Sequence, residues 1–228
     1  MQILIVAATG EEVGSLKPEV RSHGKESKAK NQDWEGATQD SGLKTLDFEL
    51  LITGVGMVAT AFTLGRHLAS NKYDLAVNLG IAGSFDKTVA LGDVLEISED
   101  TFAELGAEDD NAFVSLERLG YGEGTFYPTT KLSNLINMFS IKTATAITVN
   151  TVHGNEASIK KVTERLNPQL ESMEGAAFFY ACKQFNMPCL QIRAVSNYVE
   201  KRNRDNWQIG LAIKNLNTFA VGFLKHYA

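Results

Sequence analysis

Runs of apolar and β-branched residues alternate along this chain with segments of helical periodicity. The strand-like runs fall at 3–8, 48–53, 75–79, 92–98, 144–149 and 189–195. Each run is continuously apolar, and a strand with that pattern is buried on both faces of its sheet. Helices supply the burial on either side. The pattern therefore predicts an α/β fold with a mixed, largely parallel central sheet flanked by helices.

Five segments have the apolar spacing of amphipathic helices, and two polar stretches interrupt the pattern. The helices are predicted at 11–20, 57–69, 156–166, 174–185 and 205–226. Residues 22–42 read as a loop or a weak hairpin, and residues 100–124 as a surface excursion. Because no repeat or linker divides the chain, residues 1–228 are expected to form a single domain.

The charge and composition of the chain limit what it can bind and where it is expected to act. A net charge of −5 disfavours nucleic acid and anionic membranes as partners. No apolar stretch is long enough to span a bilayer, and the first strand begins without a leader before it. Cys182 and Cys189 lie in apolar surroundings, which predicts buried, reduced thiols. A cytoplasmic location is therefore expected.

Polar side chains follow several of the predicted strands. In α/β sheets of this kind, ligands bind beyond the carboxyl ends of the strands. Glu11 and Glu12, residues 80–83, residues 150–154 and the pair Ser196-Asn197 all occupy such positions. Their placement at separate strand ends makes them candidates for one composed site.

Two kinds of carboxylate could act in that site. Glu11 or Glu12 could serve as a general base for water, or could cap a helix through its dipole. Glu174 begins a predicted helix and could accept hydrogen bonds from a ribose diol, or could be a plain helix-start carboxylate. The residues alone leave these alternatives open.

Glycine-rich turns and metal spacings give weaker signals. Gly54-Val55-Gly56 precedes a helix but lacks the full dinucleotide-binding pattern, so a tight turn is the better interpretation. Backbone donors at 80–83 could face an anion or a water, or could form a close turn. The four histidines are scattered and no Cys/His cluster occurs, so neither a metal nor a cofactor is expected.

Four short motifs resemble the purine nucleoside phosphorylase/nucleosidase superfamily. They are Glu-Glu-Val at 11–13, Gly-Ile-Ala-Gly at 80–83, Ser-Met-Glu-Gly-Ala at 172–176 and Arg-Ala-Val-Ser at 193–196. Within it, the chain is most similar to the methylthioadenosine/S-adenosylhomocysteine nucleosidases and the futalosine hydrolases. The runs 148–152, 171–180 and 196–202 resemble the latter subfamily. The resemblance implies a nucleoside phosphorylase-like fold, a small nucleoside substrate, no cofactor and a homodimer.

The resemblance also implies how the sugar and the water are handled. Glu12 would orient and deprotonate the attacking water. Glu174 would hold the ribose hydroxyls and stabilise the oxocarbenium-like sugar, with Met173 packed beneath it. The residues themselves add that the carboxylates of Glu11 and Glu12, in the N-terminal loop, would repel phosphate and suit neutral water, which favours a hydrolase over a phosphorylase.

The remaining implied roles surround the base. Arg193 and Ser196 would organise the site around the water and the base loop. Backbone at Ala82 and Gly83 would line the pocket, and backbone near Val152 would meet the purine.

Residue 197 bears on which base leaves. The adenine-specific nucleosidases have an aspartic acid where this chain has Asn197, and that acid protonates the departing adenine. An amide cannot deliver a proton, but it can donate two hydrogen bonds. A 6-oxopurine presents two acceptors and leaves more readily as an anion. The sequence thus favours release of hypoxanthine from futalosine, in the menaquinone route that the resemblance implies.

Aromatic and basic side chains could receive the 5′ tail of futalosine. Trp207 and the pair Phe178-Phe179 could line its pocket or simply pack helices on the core. Arg202, ahead of Arg204, could pair with a carboxylate on the tail or remain a surface charge.

Three alternatives to futalosine hydrolysis remain. The first is a methylthioadenosine/S-adenosylhomocysteine nucleosidase, which Asn197 disfavours. The second is a 6-oxopurine nucleoside phosphorylase. The third is a nucleoside-binding protein without turnover, which the presence of both Glu12 and Glu174 disfavours.

Overall fold

Eight strands of the computed structural model, which describes residues 1–16, 48–131 and 141–226, form one mixed sheet. A separate two-stranded hairpin, β5 and β6, stands beside it. The strands are β1 Ile3–Ala7, β2 Phe48–Ile52, β3 Leu75–Ser84, β4 Val94–Phe102, β5 Gly106–Asp109, β6 Ala112–Ser115, β7 Thr125–Phe126, β8 Lys142–Thr148, β9 Leu170–Ser172 and β10 Cys189–Tyr198. The helices are α1 Met57–Leu68, α2 Leu116–Leu119, α3 Glu156–Leu166, α4 Gly175–Gln184 and α5 Ile209–His226, with 3-10 turns at Gly14–Leu16 and Arg204–Asn206.

The sheet is mixed and largely parallel, as predicted. Strand β3 lies at its centre, paired in parallel with β1 and β10. Where β1 has ended, the short strand β9 pairs antiparallel with Gly83 and Ser84 of β3. Strands β10, β4, β8 and β9 then continue from one edge of β3 round to the other. The sheet thus closes on itself, which gathers the ends of β3, β8, β9 and β10 in one place.

Apolar side chains pack on both faces of the central strands. In β1, Leu4 and Val6 join the cluster beneath α1 and α4, whereas Ile3 and Ile5 join the cluster beneath α5. This two-sided burial explains the continuous apolar runs, because neither face of the strand meets water. The two clusters hold the closed sheet between helices and so fix the strand ends.

Strand β10 extends beyond its predicted end. The sequence predicts that the strand opens into a loop at Ser196-Asn197, but pairing with β3 continues to Tyr198. The register shifts between Val195 and Asn197, so that Asn197 faces Gly83. A bulge of this kind re-aims side chains next to active sites.

The predicted helix at 11–20 is wrong where the structure describes it. Residues 11–13 form a turn, followed only by the 3-10 turn Gly14–Leu16. Tertiary bonds replace helical ones here, because Asn217 of α5 accepts from the Ser15 N–H at 3.0 Å and donates to the Glu12 carbonyl at 2.9 Å. Residues 17–20 of that prediction, and the loop predicted at 22–42, lie outside the described residues.

The other differences are smaller. Strand β9 was not predicted, since its three residues carry no periodic signal. The excursion predicted at 100–124 contains the β5–β6 hairpin and the single-turn helix α2. The remaining predicted helices are found, with α5 beginning at Ile209 rather than at residue 205. In the described ranges, no helix combines the length and apolarity needed to cross a bilayer.

Candidate active site

Glu12 is held with its carboxylate turned into the protein. Its Oε2 accepts the Thr9 N–H at 2.9 Å, and its Oε1 accepts the Ile81 N–H at 3.2 Å. The side chain is buried, and this desolvation raises the pKa of Glu12 above its usual value although nearby Arg193 opposes the shift. Glu12 is therefore a fixed carboxylate of raised basicity. Glu11, by contrast, is exposed.

Arg193 reaches the same place from β10. Its guanidinium is buried, and its Nη1 would lie only 1.8 Å from a Cβ atom at residue 80. The same Cβ atom would lie 3.2 Å from Oε1 of Glu12. Residue 80 must therefore be glycine, because any side chain there would displace the arginine beside Glu12.

A buried polar network holds Arg193 from below. Its Nη2 donates to Oδ1 of Asn78 at 2.6 Å and to Oε1 of Gln191 at 2.8 Å. The Gln191 amide donates in turn to Oδ2 of Asp100 at 2.9 Å, and Thr148 donates to Oδ1 at 2.8 Å. Asp100 is fully buried, which raises its pKa to about 7. This network could not be predicted from the sequence, since its members come from four different strands, β3, β4, β8 and β10.

Glu174 stands at the start of α4 but does not cap it. Its Oε1 accepts the Gly56 N–H at 3.0 Å, and its Oε2 accepts the Met173 N–H at 3.3 Å. The side chain makes no capping bond to its own helix, so the helix-start alternative does not account for it. The Gly54-Val55-Gly56 run forms the predicted strand-to-helix turn and also supplies a donor to this carboxylate.

Glu12 and Glu174 are close enough to interact electrostatically. The charge of Glu174 contributes to the raised pKa of Glu12. The structure thus brings together the two carboxylates that the sequence predicted from separate strand ends, with the positive charge of Arg193 next to Glu12.

Asn197 is oriented by its neighbours. The Ser196 hydroxyl lies 2.8 Å from Oδ1 of Asn197, and the Asn197 Nδ2 donates to the Tyr198 carbonyl at 3.1 Å. Ser196 also lies 3.2 Å from the Ala82 carbonyl. The Tyr198 carbonyl takes one of the two hydrogens on Nδ2. The second hydrogen is left to face a ligand.

A second carboxylate, Glu171 of β9, lies beside this amide. A Cβ atom at Gly83 would stand 3.1 Å from Nδ2 of Asn197 and 3.5 Å from Cγ of Glu171. Glu171 accepts both the backbone N–H of His153 at 3.0 Å and its ring Nδ1 at 2.6 Å. The Glu171–His153 pair was not predicted, because the two residues meet through the pairing of β8 with the short strand β9, which the sequence did not reveal.

The other predicted binding residues lie around these groups. Met173, next to Glu174, and Val152, in the loop after β8, are both half-buried. Arg202 is exposed, and its N–H donates to the Gly154 carbonyl of that loop at 3.3 Å. Its guanidinium lies 5.0 Å from the ring centroid of Trp207. These placements are compatible with the predicted roles, which stay predictions.

Phe178 and Phe179 do not line a pocket. Both are buried in the core cluster beneath α1 and α4, so the packing alternative is the correct one. A cavity of about 640 Å³ lies on the other side of this layer, between α1, α4 and the segment that follows β4. Met57, Val58, Ala177 and Tyr180 are among its mostly apolar lining.

Metal and thiol chemistry find no support in the described ranges. Among those residues, no three His, Cys, Asp or Glu side chains converge as a metal ion would require. Cys182 and Cys189 are free and buried, as predicted.

Comparisons with known proteins identify the family of the chain. The family profile described as Phosphorylase superfamily matches residues 2–225. The chain is similar to the futalosine hydrolase of Streptomyces coelicolor, with 34% identity over 184 residues that cover 78% of each chain. It is also similar to the futalosine hydrolase of Thermus thermophilus, with 29% identity over 180 residues that cover 77% of this chain and 80% of that protein.

A solved structure supports the fold. The 5'-methylthioadenosine/S-adenosylhomocysteine nucleosidase of Neisseria meningitidis, in complex with methylthio-immucillin-A, superposes with a TM-score of 0.75. The match covers 99% of both chains at 17% identity. At that identity the likeness speaks for the architecture alone.

Proposed function

Because the chain belongs to the phosphorylase superfamily, we propose that its site hydrolyses the N-glycosidic bond of futalosine and releases hypoxanthine. The observation that carries the choice of base is Asn197, whose amide oxygen lies against the Ser196 hydroxyl and whose NH₂ group gives one hydrogen to the Tyr198 carbonyl and keeps the other for the base. An acid that could protonate adenine is missing at this position. The curated relatives named above support the choice of futalosine.

Glu12 acts as the general base that activates the attacking water. Loop and strand N–H groups fix its carboxylate, so the base is held in place before the substrate arrives. Burial raises its pKa, which makes it a better proton acceptor than an exposed glutamate. The charge of Arg193 beside it opposes that rise and favours the ionised form. Water attacks C1′ of the ribose as Glu12 takes its proton.

Glu174 binds the sugar of the substrate. Its carboxylate accepts the two ribose hydroxyls and stabilises the positive charge that develops on the sugar as the bond to the base stretches. Its hydrogen bond from Gly56 ties it to the start of α1, so it is fixed from two elements. Met173, next to it, packs under the sugar ring.

Water is favoured over phosphate as the nucleophile. Phosphate would have to enter beside two buried carboxylates, Glu12 and Glu174. Two like charges about 4 Å apart repel by roughly 4 kcal/mol at an effective dielectric constant of about 20, which favours a neutral water as the nucleophile.

A homodimer is proposed through the exposed face of α1. Val58 and Phe62, one helical turn apart, are 77% and 67% exposed, and Val58 also lines the apolar cavity together with Met57 and Tyr180. Dimerisation would bury this face beside Gly56, the donor to Glu174. Light scattering on wild type and Phe62→Lys should give a dimer and a monomer, respectively. A monomeric wild type would refute the dimer.

The deciding experiment is product analysis with purified protein. Futalosine, inosine and methylthioadenosine are each incubated with and without phosphate, and the bases are resolved by chromatography. Hypoxanthine from futalosine without phosphate supports the proposal. Adenine from methylthioadenosine would mean that Asn197 tolerates the other base. Phosphate-dependent release would point to a phosphorylase, and binding without release to a sensor.

A further inference from the structure

We infer that His153, held by Glu171, is the acid that serves the departing base, a role that rests on the proposed hydrolysis of a purine nucleoside. Asn197 can donate hydrogen bonds but cannot give up a proton, so a proton that the departing 6-oxopurine takes up in the site has to come from another group. Glu12 is committed to the water and Glu174 to the sugar. A third ionisable pair beside Asn197 is therefore the candidate for the leaving group.

Position is the first argument. The side chain of Glu171 and the amide of Asn197 both flank Gly83: a Cβ atom there would lie 3.5 Å from Cγ of Glu171 and 3.1 Å from Nδ2 of Asn197, with Cγ2 of Val199 nearer still at 2.9 Å. His153 follows Val152 in the loop at the carboxyl end of β8, the loop proposed to meet the purine. Glu171 thus links the histidine of that loop to the strand end that carries Asn197.

Tautomer is the second argument. A carboxylate can only accept, so Nδ1 of His153, 2.6 Å from Glu171, carries a hydrogen. The backbone N–H of His153 binds the other carboxylate oxygen at 3.0 Å, which fixes the loop as well as the ring. Nε2 then lies on the far side of the ring from Glu171. When the ring is protonated, Nε2–H is the free donor.

Charge is the third argument. The hydrogen bond and charge of Glu171 raise the pKa of His153 above its usual value, against the opposing effect of burial. The other charged groups around the ring are Glu104 after β4, which raises this pKa, and Arg165 of α3, which lowers it. Arg202 lies at the same loop, where its backbone N–H donates to the carbonyl of Gly154. Glu171 is itself buried, so it needs the imidazolium as its partner.

The proton balance closes with these groups. The C1′–N9 bond breaks and its electron pair leaves on the purine, while the water oxygen bonds to C1′. Glu12 takes the proton of the water, and Nε2 of His153 gives its proton to the purine. Glu12 returns a proton to solvent and His153 takes one up, which restores both groups.

The test compares two leaving groups in wild type and His153→Asn. An asparagine can still donate to Glu171 but cannot titrate. Futalosine methylated at N7 loses its base without needing a proton, since the methyl group already supplies the positive charge. We expect His153→Asn to lower kcat on futalosine by about 100-fold or more, and to leave kcat on the N7-methyl substrate within about threefold of wild type.

The pH profile gives an independent readout. In wild type, kcat should fall at high pH as His153 loses its proton, and His153→Asn should lack that limb. Glu171→Gln should keep activity at low pH but shift the limb to lower pH. An NMR titration of the ring should show the same shift without turnover.

Two results would overturn the inference. One is an equal loss on both substrates in His153→Asn, which would indicate a structural role. The other is an alkaline limb that survives the substitution. If wild type does not release hypoxanthine from futalosine, the proposed substrate fails instead. The same pair of leaving groups, built on whichever purine nucleoside the enzyme does hydrolyse, then decides the role of His153.

Discussion

The carboxylate of Glu12 and the guanidinium of Arg193 meet over the α-carbon of residue 80. Both occupy space that a side chain there would take, with Nη1 at 1.8 Å and Oε1 at 3.2 Å from the position of a Cβ atom. The main chain of β3 therefore forms the floor on which base and cation lie together. A glycine in the middle of a central strand, normally a weakness, is required here by function.

Gly80→Ala should displace Arg193 and lower activity while the chain still folds. We expect kcat to fall by about 100-fold, because a shift of roughly 1 Å in a catalytic array costs that much. Overpacking should also lower the free energy of unfolding by about 1–3 kcal/mol. The matched control is Gly210→Ala in the first turn of α5, where a Cβ atom meets nothing within 4 Å. Steady-state kinetics and urea unfolding compare the two variants. Equal losses in both would contradict the role given to Gly80.

Glu12→Gln should abolish hydrolysis and leave substrate binding largely intact. The loss in kcat should be about 10²–10⁴-fold, the usual contribution of a general base. Burial raises the pKa of Glu12, so wild-type kcat should fall as pH drops through that value and the base becomes protonated. Glu11→Gln, one residue away but exposed, is the control and should behave as wild type. Unchanged turnover in Glu12→Gln would remove Glu12 from the mechanism.

Asn197→Asp should shift the preference toward adenine nucleosides. The Tyr198 carbonyl, 3.1 Å from Nδ2, would face a carboxyl oxygen in the variant and favour its protonated form. A protonated Asp supplies the acid that adenine departure needs, so we expect the ratio of kcat/KM for methylthioadenosine over futalosine to rise at least about tenfold. Asn71→Asp, at the opposite end of β3, should leave the ratio unchanged. A constant ratio in Asn197→Asp would undo the argument about the amide.

Asp100→Asn should become more stable relative to wild type as pH rises. Burial raises the pKa of Asp100 from 3.8 to about 7, so the folded state holds its proton more tightly than the unfolded chain. The stability from this group is present below about pH 4 and is lost as pH rises toward 7, a change of roughly 3–4 kcal/mol. Urea unfolding at pH 4.5 and pH 8 measures the difference between the two proteins.

Asp86 offers a control of opposite sign. It is half-buried, and hydrogen bonds from Thr88 lower its pKa. Its contribution is therefore present above its unfolded pKa and lost as pH falls. Asp86→Asn should lose stability relative to wild type as pH rises, the reverse of Asp100→Asn. The same sign in both variants would show that the pH effect does not come from the carboxylates.

Local burial explains what could be predicted from the sequence. The apolar runs of β1 and β10 and the amphipathic pattern of α3 reflect which side chains meet the core, and that information is carried by neighbours along the chain. Strand β3 was predicted to end at Leu79 because Gly80 interrupts its pattern. It continues to Ser84 because β10 pairs with it there, and that pairing joins residues more than a hundred positions apart.

The residues of the candidate site also fall into those that local sequence predicts and those that it does not. Glu12, Glu174 and Asn197 could be predicted because each follows or begins an element that a periodic pattern defines. The partners of those residues could not. Asp100 of β4 meets Gln191 and Arg193 of β10, and Glu171 of β9 meets His153 after β8, through the pairing of neighbouring strands. Such pairing is non-local and leaves no mark on any short stretch of sequence.

The bulge between Val195 and Asn197 separates two parts of one strand. Before it, Arg193 is locked into the buried network, and any change there would disturb hydrolysis. After it, Asn197 is held only by its two neighbours, Ser196 and Tyr198. Over evolutionary time, a lineage that inherits this strand can exchange the residue that reads the base while its hydrolytic half stays the same. The preference for one purine base over another can therefore change among descendants that keep the same hydrolytic reaction.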